Sequence, residues 1–283
     1  MQKSEPTRVL FVNSEIYPYL PETYISTIGR YLPQGIQECK KEIRSFMPKY
    51  GCINERRNQL HEVIRLSGMN IVINDVDRPL IIKVSSIPAA RMQVYFIDNE
   101  DYFQRKYVFT DENGKFFDDN GERAVFFARG VLETVKKLRW KPDIIHCQGW
   151  ISHILPLYLK KCYKDDPIFS NTKVVLSLYD EFLEERFSAD LAEKAALPGL
   201  ESKDFELFAE PVGINLAKLA SFHSDGIIMG SDSIPAELEG FCKELGRPVL
   251  PYFKIENGNN DYIKVYNDFY DRIIGNTNED NAQ

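Results

Sequence analysis

His146 ends the DIIH of PDIIHCQGW, where an apolar stretch gives way to polar residues, and by type and position it is the residue best placed to do chemistry. A neutral imidazole at a strand exit can donate to a sugar hydroxyl or a developing oxyanion; it can equally be a half-buried ring bonded to a neighbouring loop. His153 follows seven residues later across a strand-to-helix junction. With four histidines in all and no C-x-x-C pair, the ligand spacing of a metal site is missing, so neither a metal nor a cofactor is expected. Three further polar exits, NSEIYPYLPETY, SLYDEF and GSDS, join HCQGW. Together the four supply Glu15, Glu22, Tyr24, His146, Gln148, Trp150, Tyr179, Asp180, Ser231 and Asp232 as candidate ligand-contacting groups.

Other chemistries are poorly served. Walker loops, G-x-G-x-x-G, G-x-S-x-G and kinase catalytic loops are absent from the sequence. The carboxylates of SLYDEFLEERF read as a solvated helix start and do not define a glycosidase pair. The 15 Tyr, 18 Phe and 2 Trp could stack on sugar rings, although most lie in strand or helix stripes and read more simply as core.

The exits need strands to carry them. RVLFVNSE reads as a buried strand, TYISTIGRYLPQGIQECKK as a loose helix interrupted at Pro33, and EIRSFMP (Glu42 to Pro48) as a second strand, a first βαβ unit. MNIVIND, PLIIKVSSI and RMQVYFIDN leave no room for helices and read as inserted hairpin strands, separated by DVDRP and PAA. The segment from Tyr102 to Ala124 reads as a surface loop with turns at Glu112-Asn113-Gly114 and Asp119-Asn120-Gly121. ERAVFFARGVLETVKKL then lines up Phe127, Val131, Val135 and Leu138 on one helical face.

Strand, helix, strand, helix continues through KPDIIHCQGW, ISHILPLYLKKCY (kinked near Pro156), NTKVVLSLYD, VGINLAKLASFH and SDGIIMGSDS to a short strand in GRPVLPYF. This predicts an α/β protein, a Rossmann-like doubly wound and mostly parallel sheet with helices on both faces and a β-hairpin insertion. The expected divisions are a domain over 1–252, a helix within 253–275 packing back on it through Tyr262, Tyr266, Phe269 and Ile273, and a frayed tail over 276–283.

A net charge of −7 supplies no basic field for nucleic acid. Five cysteines, odd in number and widely spaced, suggest no disulfide framework, and no stretch of 18 apolar residues occurs. The expectation is a cytoplasmic protein without nucleic-acid or membrane partners.

In order along the chain, several segments resemble the N-terminal domain of bacterial glycogen synthases and plant starch synthases, which are GT-B glycosyltransferases. RVLFVNSEIYPYLPETYISTIGRYLP aligns without a gap to that family's opening V-L-F-V-A-S-E-V-A-P-F-A-K-T-G-G-L, and FMPKYG resembles its L-P-K-Y-G. VYFIDNEDYF, DDNGERAVFFARGVLE, PDIIHCQGWISHILPLYLK and ADLAEKAALPG resemble further family segments, so that the similarity spans Arg8 to Tyr252. The resemblance implies half of a GT-B architecture, a sugar-contacting role for His146, and motif positions at Asp119, Asn120 and Arg123.

It also exposes departures. Pro21, Glu22, Thr23 and Tyr24 stand where the family has Lys, Thr, Gly and Gly; Gln148 and Gly149 replace a His and an Asp; Tyr179 and Asp180 replace a His and an Asn. In the family the glycines let backbone amides approach a nucleotide-sugar diphosphate, whereas a proline removes an amide and a carboxylate repels the diphosphate. With 31 residues after Tyr252, the donor-binding half is expected to be missing. The resemblance then implies an acceptor-side pseudoenzyme without stand-alone catalysis that binds an α-glucan or other oligosaccharide. Two alternatives stay open: half of a split synthase whose partner is a separate donor-domain protein, and a homodimer built on the exposed face.

Overall fold

The computed structural model describes residues 5–255 and 261–275. Period-two alternation sorts β1 (Arg8–Asn13) between the two faces of a sheet: Val9 and Phe11 enter one apolar cluster, Leu10 and Val12 the other. Helix α1 (Tyr24–Glu38) returns the chain to β2 (Glu42–Pro48), parallel to β1. Pro33 lies inside α1 without ending it, contrary to the interruption expected there. One lost amide bond is outweighed by burial of Ile28, Leu32 and Ile36 on the same stripe.

The hairpin region follows as β3 (His61–Glu62), β4 (Met69–Ile73), β5 (Val76–Ile87) and β6 (Met92–Asp98). The chain reverses between β4 and β5 at Asn74 and Asp75, both at positive φ, so DVDRP is mostly strand rather than a spacer. β6 lies parallel to β2 and antiparallel to β5, so this insertion extends the main sheet.

A short helix α2 (Glu100–Phe103) precedes α3 (Asn120–Leu138), whose first residues are the Asn120-Gly121 expected to form a turn. The segment between is no simple surface loop: Phe109 and Phe116 are buried, 4.9 and 5.4 Å from the Trp150 ring centroid. Phe127, Val131 and Val135 of α3 are fully buried and Leu138 is half-buried.

The doubly wound half continues with β7 (Ile144–Gln148), α4 (Leu155–Lys161) and β8 (Lys173–Leu178). Pro156 sits in the first turn of α4, where its missing amide costs nothing, so it starts the helix instead of kinking it. Then come α5 (Leu191–Lys194), α6 (Gly213–Phe222), β9 (Gly226–Met229), α7 (Ala236–Glu244) and β10 (Val249–Leu250). The strand order is β10-β9-β8-β7-β1-β2-β6-β5-β3, with β4 paired to β5. This is the mostly parallel α/β sheet predicted from sequence.

Helix α8 (Asp261–Ile274) lies on the same face as α1, burying Tyr262, Tyr266, Phe269 and Tyr270 beside Phe11 and Val175. Its approach to α1 is close: a Cβ at Gly35 would fall 2.2 Å from Ile263 Cδ1. The tail over 276–283, expected to be frayed, lies outside the described residues. Among the described residues no helix is long and apolar enough to cross a membrane.

Candidate functional site

The ends of β1, β8 and β9 open together onto a cleft of about 380 Å³. From the β1 exit come Glu15 and, across the loop, Thr23, Tyr24 and Ile25; from β8 come Tyr179, Asp180 and Glu181; Gly230, Ser231, Asp232 and Tyr252 complete the wall. Among the described residues that line it there are four carboxylates and no Lys or Arg.

The loop that the sequence singled out is locked by local bonds. Thr23 is the N-cap of α1: its Oγ1 accepts from the Ser26 amide at 3.0 Å, and its own amide donates to Ser26 Oγ at 2.8 Å. The Thr23 hydroxyl donates to Glu15 Oε2 at 2.6 Å. Two first-turn amides that could have faced an anion are thereby occupied within the chain. Partial burial raises the Glu15 carboxyl above its ordinary range, against the lowering effect of the Thr23 bond.

The run SLYDEFLEERF predicts a solvated helix start at Glu181, but residues 181–184 form a turn, with Phe182 at φ 54. Phe182 joins the aromatic group around Trp150, and this draws Glu181 inward, where its Oε1 accepts from the Trp150 amide at 3.0 Å. Burial pushes the Glu181 carboxyl up to about 8; the Trp150 bond opposes the shift, and the nearby Glu15 and Asp180 charges add to it. The carboxyl is therefore largely protonated at neutral pH and presents a neutral donor and acceptor.

Tyr24 is 39% exposed at the rim, and its ring centroid lies 6.2 Å from that of the buried Tyr179 in an edge arrangement. Gly230 makes room for Tyr179, because a Cβ there would fall 2.5 Å from Tyr179 Cε1. The result is an aromatic wall beside neutral and acidic oxygens, a surface suited to the apolar face and hydroxyls of a sugar ring.

Seven candidates from the sequence lie elsewhere, among them Trp150, buried against Phe109 and Phe116, and Asn120, buried at the start of α3. Glu22 is exposed on the loop and does not line the cleft. His146 and Gln148 are fully buried below it. Gln148 Nε2 and the Tyr270 hydroxyl both converge on His146 Nδ1, at 3.2 and 2.7 Å, and Nε2 meets Ser177 Oγ at 2.7 Å. Two donors at Nδ1 place the ring proton on Nε2. Burial depresses the imidazole to about 3, so it stays neutral. A tyrosine of α8 covers the ring, a partner that local sequence around position 146 could not reveal.

Arg123 is also fully buried. It donates to Tyr102 O at 2.8 Å and to Asn120 Oδ1, and its guanidinium lies over the rings of Tyr50, Phe103, Phe109 and Phe117. Desolvation lowers its pKa to about 10. Asp119 is engaged by Arg105 through both carboxylate oxygens. Neither residue reaches the cleft.

Glu181, Gly230 and Tyr252 were not singled out by sequence reasoning. Glu181 and Gly230 directly follow and precede residues that were, and position at a strand exit is the signal that could have found them. Among the described residues no group of three or more His, Cys, Asp or Glu is arranged to hold a metal ion.

Residues 8–243 match the family described as the starch synthase catalytic domain. The chain belongs to that family. It is 36% identical over 234 residues to a glycogen synthase of Chlorobium limicola, covering 82% of this chain and 47% of the relative. With a glycogen synthase of Chlorobaculum parvum it shares 30% identity over 272 residues, 94% of this chain and 55% of the relative. Among solved structures, the catalytic domain of Arabidopsis thaliana starch synthase IV, described as bound to ADP and acarbose, superposes with a TM-score of 0.73 at 17% identity, covering 88% of this chain and 52% of that one. That likeness shows the fold. The chain spans about half the length of the curated relatives it matches.

Proposed function

We propose that this starch synthase family domain binds neutral α-glucan in the cleft beyond β1, β8 and β9, and that the cleft does not hold a nucleotide sugar. One observation carries the reading: Glu15, Asp180, Glu181 and Asp232 line the cleft without a single Lys or Arg among the described residues there, and the loop that would cradle phosphates is closed by the Thr23–Ser26 cap. A diphosphate would meet carboxylates and occupied amides, whereas glucan hydroxyls would meet acceptors and a neutral Glu181, with Tyr24 as a stacking surface. The plant starch synthase IV catalytic domain, solved with ADP and acarbose, makes an oligosaccharide a reasonable ligand class for a domain of this fold. On this reading the chain works as the acceptor-side, glucan-holding domain, without stand-alone glucosyl transfer.

Calorimetry with maltoheptaose on the purified chain is expected to give a dissociation constant of about 0.1–1 mM, unchanged by added ADP-glucose. Tyr24→Ala is expected to weaken it about tenfold, an aromatic-stacking loss, with little change in melting temperature. Displacement of maltoheptaose by ADP-glucose, or incorporation of labelled glucose into maltoheptaose by the pure chain, would overturn the reading.

A further inference from the structure

A second cavity, of about 550 Å³, lies at the opposite end of the sheet from the cleft. It is built from the first residues of the parallel strands β2 and β6, Arg44 and Gln93 among them, and from the β5–β6 connection that ends in Arg91. The glucan cleft gathers carboxylates; this end gathers cations, in a chain whose net charge is −7.

Among the described residues, two guanidiniums there lack a carboxylate partner. Arg44 is held in a fixed plane, its Cζ 5.6 Å from the Tyr95 ring centroid and 5.2 Å from that of Trp140, with Nη1 donating to the Tyr95 hydroxyl at 2.7 Å. Its Nε is buried and has no acceptor. Arg91, exposed at φ 51, makes no side-chain hydrogen bond or ion pair among the described residues. The carboxylate on the wall, Glu42, has Oε2 on Arg8 at 3.1 Å and Oε1 on the Trp140 indole at 2.6 Å. Lys41 is bound to Asp271 at 2.8 Å and Asn267 at 2.7 Å. The free donors are therefore the two arginines, with the exposed Ser86 and Gln93 beside them.

We infer that this cavity binds a small phosphate ester of a polyhydroxylated compound, a sugar phosphate by chemical class. A phosphate dianion offers acceptors to the fork of Arg91 and a counter-charge to the guanidinium of Arg44, which stacking between two aromatic rings fixes in place before any ligand arrives. The cavity is larger than a bare phosphate needs, and Ile87, Pro88 and Met92 give the organic part an apolar wall while Ser86 and Gln93 meet its hydroxyls. The inference stands apart from the glucan reading, since the two sites share no residue.

Trp140, stacked on Arg44, is the reporter. In a Trp150→Phe variant it is the remaining tryptophan of two, and titration with glucose 6-phosphate is expected to change its fluorescence saturably, with half-saturation at about 0.1–1 mM. Inorganic phosphate should bind more weakly and glucose should give no change. Arg91→Gln, which removes no intramolecular bond, and Arg44→Gln should each weaken the ester at least about tenfold. Calorimetry on the unsubstituted chain gives the same answer should Trp150→Phe fail to fold. No saturable signal by either method, affinity unaltered by both arginine changes, or inorganic phosphate binding as tightly as the ester would overturn the assignment. An ADP-glucose signal that vanishes in Arg91→Gln while leaving maltoheptaose binding intact belongs to this cavity and supports it.

Discussion

The cleft and the layer beneath it divide the family's features between them. Residues that keep the family pattern, Asp119, Arg123 and His146, are committed to internal partners: Arg105, a ring of aromatics, and Tyr270 with Ser177. Four residues that depart from it, Thr23, Tyr24, Tyr179 and Asp180, line the cleft beside the retained Glu15, while the substituted Gln148 is buried below. The retained Asp119, Arg123 and His146 hold the fold, and the four changed residues give the cleft its altered surface. A motif match at a buried position therefore speaks for architecture, and a mismatch at a strand exit speaks for ligand.

This division can be broken most sharply at Arg123. Arg123→Ala should destabilise by about 3–5 kcal/mol, from packing lost over several rings and acceptors left at Tyr102 O and Asn120 Oδ1. Arg123→Met, which refills the space, should cost roughly half as much. Urea unfolding measures both, and the maltoheptaose affinity of the folded fraction should not change; a change of more than about threefold would join the two regions that we separate.

Glu181 tests the cleft side through pH. Its folded value of about 8 lies above the ordinary 4.5, so its stabilising contribution is complete below about pH 4.5 and is lost as pH rises through 8. Glu181→Gln, still able to accept from the Trp150 amide, should match the parent near pH 4.5 and exceed it at pH 8 by roughly 1–3 kcal/mol. Equal stability at both pH values would mean that the carboxyl ionises freely.

The smallest effect is expected at Tyr270→Phe. Gln148 still donates to His146 Nδ1, so removing the hydroxyl should cost about 1 kcal/mol and leave glucan affinity untouched. A loss comparable to that of Arg123→Ala would show that the seal over His146 matters more than one hydrogen bond.

Much of this was legible in the residues. Alternation in RVLFVN and the order of strand and helix runs determine the sheet, and strand exits point to Glu15, Tyr24, Tyr179 and Asp180. What was hidden depends on distant partners. Pro33 signals a break, yet α1 continues because its apolar stripe is buried by segments far along the chain. Phe109 and Phe116 sit among turn residues, and only Trp150 and Phe182 explain their burial. Glu181 resembles any surface glutamate until the Phe182 backbone turns it inward.

The borders of the sheet have their own consequence. At one side it ends in β10, two residues long. At the other, β5 is covered by β3 and β4, while Arg129 of α3 donates to Val72 O and Lys137 reaches Leu66 O at 3.4 Å. Among the described residues neither margin presents a long row of vacant main-chain groups for a foreign strand to zip onto. Recruitment of another polypeptide by β-augmentation at these margins is thereby disfavoured.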